Sequence, residues 1–557
     1  MNIDLSRLAT QQAYAAVTEY RITKWTTITQ VGAAVDALTG LPAWPDPAVL
    51  RKRRPREIAE YLIHNLAGDT VFVVQTGGVA YVARPAFSEL EVYYHLDGDT
   101  LTLWSGTALP VDITTHSWSL NWEYLHGSMI NSTWVTPQTG FIGVYELLSG
   151  AILDCRDGEV NQTDHLPNLF AATPRRTESS FDQTRDMCRE LLLASVAHKT
   201  SGYEGKVGIA ASGGLDSSVV AVATALCHPD SALPLINTHR DDDESSDERE
   251  YFAALARAIP GAQPHYIETS EGVSRTDTSA DLFTPAPRPS KIAAAGPLNQ
   301  RIHAKLAELG CTRLLSGDGG DQLFLRLSRA TLAPELVGEA ATRAARVRVL
   351  SALAAHQHKS IWTMVRAARR PAEDTEHWRN MFGDLAFRAP SVLARPPREM
   401  ALIPSTEKVS TWPLSVAFQY VALRNAEMNR IALADSTSTE RKPALFWPLI
   451  RASLTAPRTH HLHDGIDRAV ERAMFTQLPI EIVHRIGKGG GRDLDTRYDY
   501  RRLAQGILDS ELCDRNLLDR QELTQLADGH TPDGDTRFAL IRAAVTNEWI
   551  AHALATT

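Results

Sequence analysis

The stretch from Val207 to Leu226 constrains the fold of this chain most. Val207-Gly-Ile-Ala-Ala211 is a short apolar run that reads as a buried strand. It ends in Ser212-Gly213-Gly214, where backbone without Cβ bulk can turn tightly and let an anion approach. Leu215-Asp216-Ser217-Ser218 then opens an apolar helical pattern from Val219 to Leu226. A Gly/Ser turn feeding a helix N-terminus is an anion cradle, because free N–H groups and the helix dipole face the ligand. Asp216 inside such a cradle makes chemical sense if a divalent cation sits between its carboxylate and a phosphate. The glycines are followed by no Lys at P-loop spacing, so a Walker-type nucleotide site is excluded.

From residue 206 onward strand and helix patterns alternate, which predicts a parallel α/β sheet. Further strands are expected at Leu233–Thr238, Pro264–Glu268 and Thr312–Ser316. Helices are expected from a capping box at Ser245–Glu248 to Ile259, and from Pro297 to Leu309 with Gly310 as stop signal. Asp241-Asp-Asp-Glu244 reads as a solvated loop rather than a metal site. A second turn, Gly317-Asp-Gly-Gly-Asp-Gln-Leu-Phe324, follows the Thr312 strand. Open α/β sheets bind ligands at such carboxyl ends. Asp216 and Asp321 could there share one Mg²⁺ with a polyphosphate.

The first part of the chain, residues 1–175, is rich in strand signals. Thr76-Gly-Gly78 and Asp97-Gly-Asp99 each separate two alternating runs and predict hairpins. Trp118 and Trp122, near Tyr124, are expected in the core, with a peptide-binding patch as the alternative. The polar stretch Thr173–Ser180 reads as a linker, followed by a helix from Phe181 to His198. The expected division is therefore 1–175 and 176–557. Residues 330–400 read as mostly helical, with a Pro-containing stretch, Arg388–Pro404, that is either a loop over the site or a connection.

A net charge of −9 argues against non-specific nucleic-acid binding. No apolar run reaches membrane-spanning length and the N-terminus lacks a signal pattern. Five scattered cysteines without a C-x-x-C pair suggest a reduced, cytoplasmic setting. His460-His-Leu-His463 has no acidic or thiol partners at metal-ligand spacing. Lys488 lies among glycines in Ile486-Gly-Lys-Gly-Gly490, where a free backbone lets the ammonium reach an anionic centre; a flexible surface loop is the alternative. Arg441 and Arg485 suit either phosphates or ion pairs within the fold.

Ser212-Gly-Gly-Leu-Asp-Ser-Ser218 resembles the pyrophosphate loop of the ATP pyrophosphatases, which release AMP and pyrophosphate. With the Ser316–Phe324 turn and the Leu478–Gly490 segment in this order, the chain resembles the asparagine synthetase superfamily over nearly its whole length. Gly140–Gly150 is similar to the end of the glutaminase-type (Ntn-like) domain of asparagine synthetases. The implied fold is α/β: a β-rich glutaminase-type domain, a parallel-sheet ATP-pyrophosphatase domain, and a helical C-terminal part. Position 2 is Asn2 rather than the nucleophilic Cys of that family, and a carboxamide cannot take its place. The first domain is thus expected to be catalytically silent, kept for packing or partner binding.

Glu427, before Met428, resembles the catalytic Glu of β-lactam synthetases, but their partner Tyr is replaced here by Asp318. Asp318, Gln322-Leu-Phe324 and the Gly-Lys-Gly-Gly loop look most like a lasso peptide cyclase. β-Lactam-type cyclisation, ammonia-dependent asparagine synthesis and a non-catalytic ATP-binding scaffold remain open beside it. The resemblance implies ATP held by Ser212, Gly213, Gly214, Ser217, Ser218 and Gly317, with Mg²⁺ on Asp216 and Asp321. It implies Glu427 as base with Asp318 as helper, and Lys488 stabilising the tetrahedral intermediate; a helix-surface ion pair is the alternative for Glu427. The substrate would be a precursor core peptide, and the partners a leader-binding protein and a leader peptidase.

Overall fold

The computed structural model describes residues 2–5, 17–44, 46–105, 118–130, 135–174, 179–202, 205–239, 241, 247–268, 287–289, 296–326, 332–369, 392–394, 409, 412–428, 439–463, 465–485 and 498–556. The first part of the chain folds into two stacked sheets. A six-stranded antiparallel sheet runs in the order Glu159–Asp164, Ala151–Arg156, Val79–Arg84, Thr70–Thr76, Thr26–Gly32, Val17–Arg21. A four-stranded sheet runs Asn2–Leu5, Thr100–Ser105, Val92–Asp97, Val144–Glu146. Both expected hairpins form, at 70–84 and 92–105.

Alternation along the strands decides the layers. Val71 and Val73 point into the core between the sheets, against Val92, Leu101 and Leu103. Phe72 and Val74 point the other way, onto Ile58 and Leu62 of the helix Pro55–Asn65. The outer face of the smaller sheet, at Tyr93 and Trp104, packs with the helix Trp122–Ile130 and the C-terminal helices Tyr500–Ile507, Arg520–Ala527 and Gly534–Thr556. Trp118 and Trp122 lie against this same core. The C-terminal helical part thus closes on a sheet far away in sequence. Of Arg388–Pro404, the described residues 392–394 are pinned to that helical part: the Asp519 amide donates to the Val392 carbonyl at 2.9 Å.

The second half carries a five-stranded, wholly parallel sheet in the order Ala262–Glu268, Leu233–His239, Lys206–Ala210, Cys311–Ser316, Thr439–Arg441. Leu235 and Leu315 face the helix Leu215–Cys227 and Phe252 of the helix Arg249–Ala258. Ile236 and Leu314 face the opposite layer, with Leu306 of the helix Gly296–Glu308. The helix Leu215–Cys227 is buried over its first ten residues, its apolar run Val219–Ala223 included. Two elements depart from the sequence reading. The edge strand Thr439–Arg441 is only three residues long and was not expected. The helix expected from Ser245 begins at Arg249; Ser245 lies outside the described residues, and the side chain of Glu248 makes no capping hydrogen bond. One core runs across residue 175 and joins Phe87, Leu166 and Phe170 to Ile209 and Val219.

The helix Phe181–Thr200 spans that junction, capped by Ser180, whose hydroxyl accepts from the Gln183 amide at 3.2 Å. At its end the fully buried Lys199 pairs with Asp69 at 3.2 Å and Glu89 at 2.6 Å. Burial alone would raise the Asp69 carboxyl, but Lys199, His198 and Arg441 hold it well below the usual range. All five cysteines are free thiols. Among the described residues no helix is long and apolar enough to cross a membrane.

Candidate active site

The strands Lys206–Ala210 and Cys311–Ser316 are neighbours at the centre of the parallel sheet, and the chain leaves them in opposite lateral directions. That switch point is where open α/β sheets form a ligand crevice. Both Gly/Asp turns lie there and together line a cleft of about 310 Å³. Its walls include Ser212, Gly214, Asp216, Ser217, Gly317, Asp318, Asp321 and Gln322.

The two turns interlock. A Cβ on Gly317 would lie 2.4 Å from the Ser217 amide nitrogen, so only glycine allows this approach. Gly213, at φ 84°, takes the left-handed conformation beside Tyr251 and Phe252. The turn is further fixed by its serines. The Ser212 hydroxyl accepts from the Gly214 amide at 3.1 Å, and the Ser218 hydroxyl donates to the Gly214 carbonyl at 2.7 Å. Ser218 is fully buried and, with Gly213, stands behind the cleft wall rather than in it. Gly214 is the N-cap of the helix Leu215–Cys227, so the first N–H groups of that helix open onto the cleft.

Asp216 and Asp321, one from each turn, converge on a single group: Arg468. Its Nη1 donates to Asp216 Oδ1 at 2.8 Å and to Asp321 Oδ1 as well. A third carboxyl, Glu471, lies 3.8 Å from the same nitrogen. Burial first, and Asp216 beside it second, push the Glu471 carboxyl well above the usual carboxylate range. Burial opposes the charge on Arg468, but Glu471, Asp216 and Asp321 together hold it. Nothing in the sequence pattern marked Arg468 or Glu471. Among the described residues no set of three His, Cys, Asp or Glu side chains forms a self-sufficient metal cage. Two hard carboxylate oxygens within reach of one cationic nitrogen do fit Mg²⁺, which usually completes its shell with phosphate oxygens and water.

Asp318 faces the same cleft, and its Oδ2 lies 2.8 Å from Lys442 Nζ. Lys442 follows the edge strand and also donates from Nζ to the Ala426 carbonyl at 2.8 Å. It therefore links the cleft to the end of the helix Leu414–Met428, which carries Glu427. Glu427 does not line the cleft described above. It is buried against Arg424 at 3.1 Å and Arg84 at 3.9 Å. Arg84, from the six-stranded sheet, is fully buried and pairs with Glu146 at 3.1 Å. Arg485 lies 3.5 Å from the Gly213 carbonyl, pairs with Glu248 and stacks 4.2 Å over the Tyr251 ring, tying the first turn to the helix Arg249–Ala258. Lys488 lies outside the described residues.

No curated protein matches the chain. A family model, asparagine synthase, matches residues 187–551, well over half of the 557. That match takes in both turns, the parallel sheet, Arg468 and most of the C-terminal helices. The chain is an α/β protein that belongs to the asparagine synthase family, a family of ATP-dependent amide-forming ligases.

Proposed function

We propose that this protein is an AMP-forming macrolactam synthetase of the lasso cyclase type. It would activate an Asp or Glu side chain of a core peptide and join it to the peptide's own N-terminal amine. The observation that carries the adenylation reading is the convergence of Asp216 and Asp321 from two interlocked turns at a helix N-terminus. Polyphosphate would lie along Ser212, Gly214, Ser217 and Gly317, with Gly213 and Ser218 holding the turn in shape. Mg²⁺ on Asp216 and Asp321 would neutralise phosphate charge and ease the departure of pyrophosphate. A substrate carboxylate oxygen attacks the α-phosphorus, the bond to the bridging β-phosphate oxygen breaks, and an acyl-adenylate forms. The peptide amine then attacks the acyl carbon, loses a proton, and AMP leaves.

An α-amine has a pKa near 8, so a modest base suffices. Asp318, at the cleft wall beside Lys442, would take part, and Glu427 follows Ala426, whose carbonyl accepts from Lys442. Lys488 would stabilise the anionic tetrahedral intermediate. Replacement of the β-lactam-type Tyr by Asp318 favours peptide closure over β-lactam formation. The β-rich first part of the chain would give walls against which a peptide can be folded before ring closure, which lowers its entropic barrier. A leader-binding protein and a leader peptidase would supply the leaderless substrate, in a cytoplasmic setting.

The test supplies ATP, Mg²⁺ and either leaderless peptides with an internal Asp or Glu, or aspartate with ammonia. The expected products are AMP, pyrophosphate and a peptide lighter by one water. Free asparagine instead would replace the macrolactam reading with asparagine synthesis, and ADP formation would overturn adenylation.

A further inference from the structure

Arg468 is unusual in three respects. Its backbone sits in the left-handed region at φ 52°, uncommon for a residue with a Cβ. Its side chain is only 5 % exposed, and its buried Nε makes no hydrogen bond. Its Nη1 bonds the Oδ1 oxygens of the two aspartates that face each other across the cleft. Local strain of this kind persists where the surrounding structure enforces it, and it points to function. The enforcement here is visible: Arg472 holds the segment from behind, donating from Nε to the Asp467 carbonyl at 2.8 Å and bonding the Val483 carbonyl.

Two carboxylates this close in a partly dehydrated cleft need a cation between them. The guanidinium and a divalent metal would use the same two oxygens, so they cannot occupy that position together. We propose that Arg468 is a placeholder for the metal: it keeps free divalent cations out and yields the carboxylates only when metal and nucleotide arrive together. Metal alone must strand a buried guanidinium, which is costly. When triphosphate is present, the released guanidinium finds phosphate oxygens and makes charge-assisted bonds to them. Metal and nucleotide then strengthen each other's binding reciprocally. This inference rests on the reading of Asp216 and Asp321 as the cation ligands.

Mn²⁺, titrated into the full chain by calorimetry and electron paramagnetic resonance, tests it without any peptide substrate. Arg468→Met is expected to bind free Mn²⁺ at least ~10-fold more tightly than the native chain. Adding Asp216→Asn to that variant should abolish the gain. Equal Mn²⁺ affinity in the native chain and Arg468→Met would overturn the placeholder role. If that occurs while the native chain still binds Mn²⁺ with ATP, the adenylation reading stands alone. If Mn²⁺ binds neither form, with or without ATP, the assignment of Asp216 and Asp321 falls and the placeholder with it. Should Arg468→Met be unfolded without metal, Arg468→Gln serves in the same titration. An Mn²⁺-dependent rise in Tm of either variant but not of the native chain supports the proposal; no rise in either contradicts it.

Discussion

At the residue scale the site is a small set of charges whose partners decide their roles. Asp216 and Asp321 meet at one nitrogen, so each depends on the other to define a cation position. Asp216→Asn or Asp321→Asn is expected to lower AMP formation by at least ~10²-fold, the scale of losing a key electrostatic contact, with the fold intact by circular dichroism. Glu427 is a different case. Its buried pairs with Arg424 and Arg84 suffice to explain its burial, so a catalytic role needs a separate signature. If Glu427 is the base, single-turnover assays of Glu427→Gln will show adenylate building up while amide closure slows. A proportional loss of both steps would assign it to structure alone. Both aspartates could be read from the sequence, because a carboxylate in a Gly/Ser turn is chemically odd. Arg468 and Glu471 could not, since a lone Arg or Glu in a short helical segment has no pattern.

At the element scale, function rests on two adjacent strands ending in turns that fit into one another. The contact between Gly317 and Ser217 leaves no space for a methyl group. Gly317→Ala should therefore push the turns apart, destabilise the protein by about 1–3 kcal/mol, and weaken ATP binding. Urea melts and calorimetric ATP titration measure the two effects. The strands around these turns were legible because short apolar runs between turn signals allow few alternatives. The edge strand Thr439–Arg441 was not, since three residues, two of them charged, carry no periodicity. It matters nonetheless, because it delivers Lys442 to Asp318. The helix Arg249–Ala258 starts later than its sequence pattern predicts. The Ser245–Glu248 pattern suited a capping box, whereas Glu248 is paired with Arg485.

At the scale of the whole molecule, buried charges tie the stacked sheets to the parallel-sheet half. Arg84 lies between Glu146 and Glu427 with no exposed surface. Arg84→Met should cost about 3–5 kcal/mol, the range for stranding a buried partner, as read from denaturant midpoints. Acid should destabilise the fold through two buried histidines. Burial lowers His198 to about 4 and His461 to about 3. Both are neutral when folded and take a proton when unfolded, so stability is fully present above pH ~6.5. As pH falls from there to about 4, stability should drop progressively, because each histidine takes up a proton on unfolding. His198→Gln should flatten that slope in melts at pH 5 and 7; an unchanged slope would contradict the assignment. These long-range pairs were invisible in sequence, because partners such as Arg84 and Glu427 are hundreds of residues apart. Adenylation requires a substrate carboxylate to attack the α-phosphorus of ATP in the cleft between the two turns. The most direct measurement uses peptide labelled with ¹⁸O in its Asp or Glu side-chain carboxylate and follows the label by mass spectrometry. One ¹⁸O is expected in AMP and none in pyrophosphate, with the transfer lost in Asp216→Asn; label in inorganic phosphate alongside ADP would overturn adenylation.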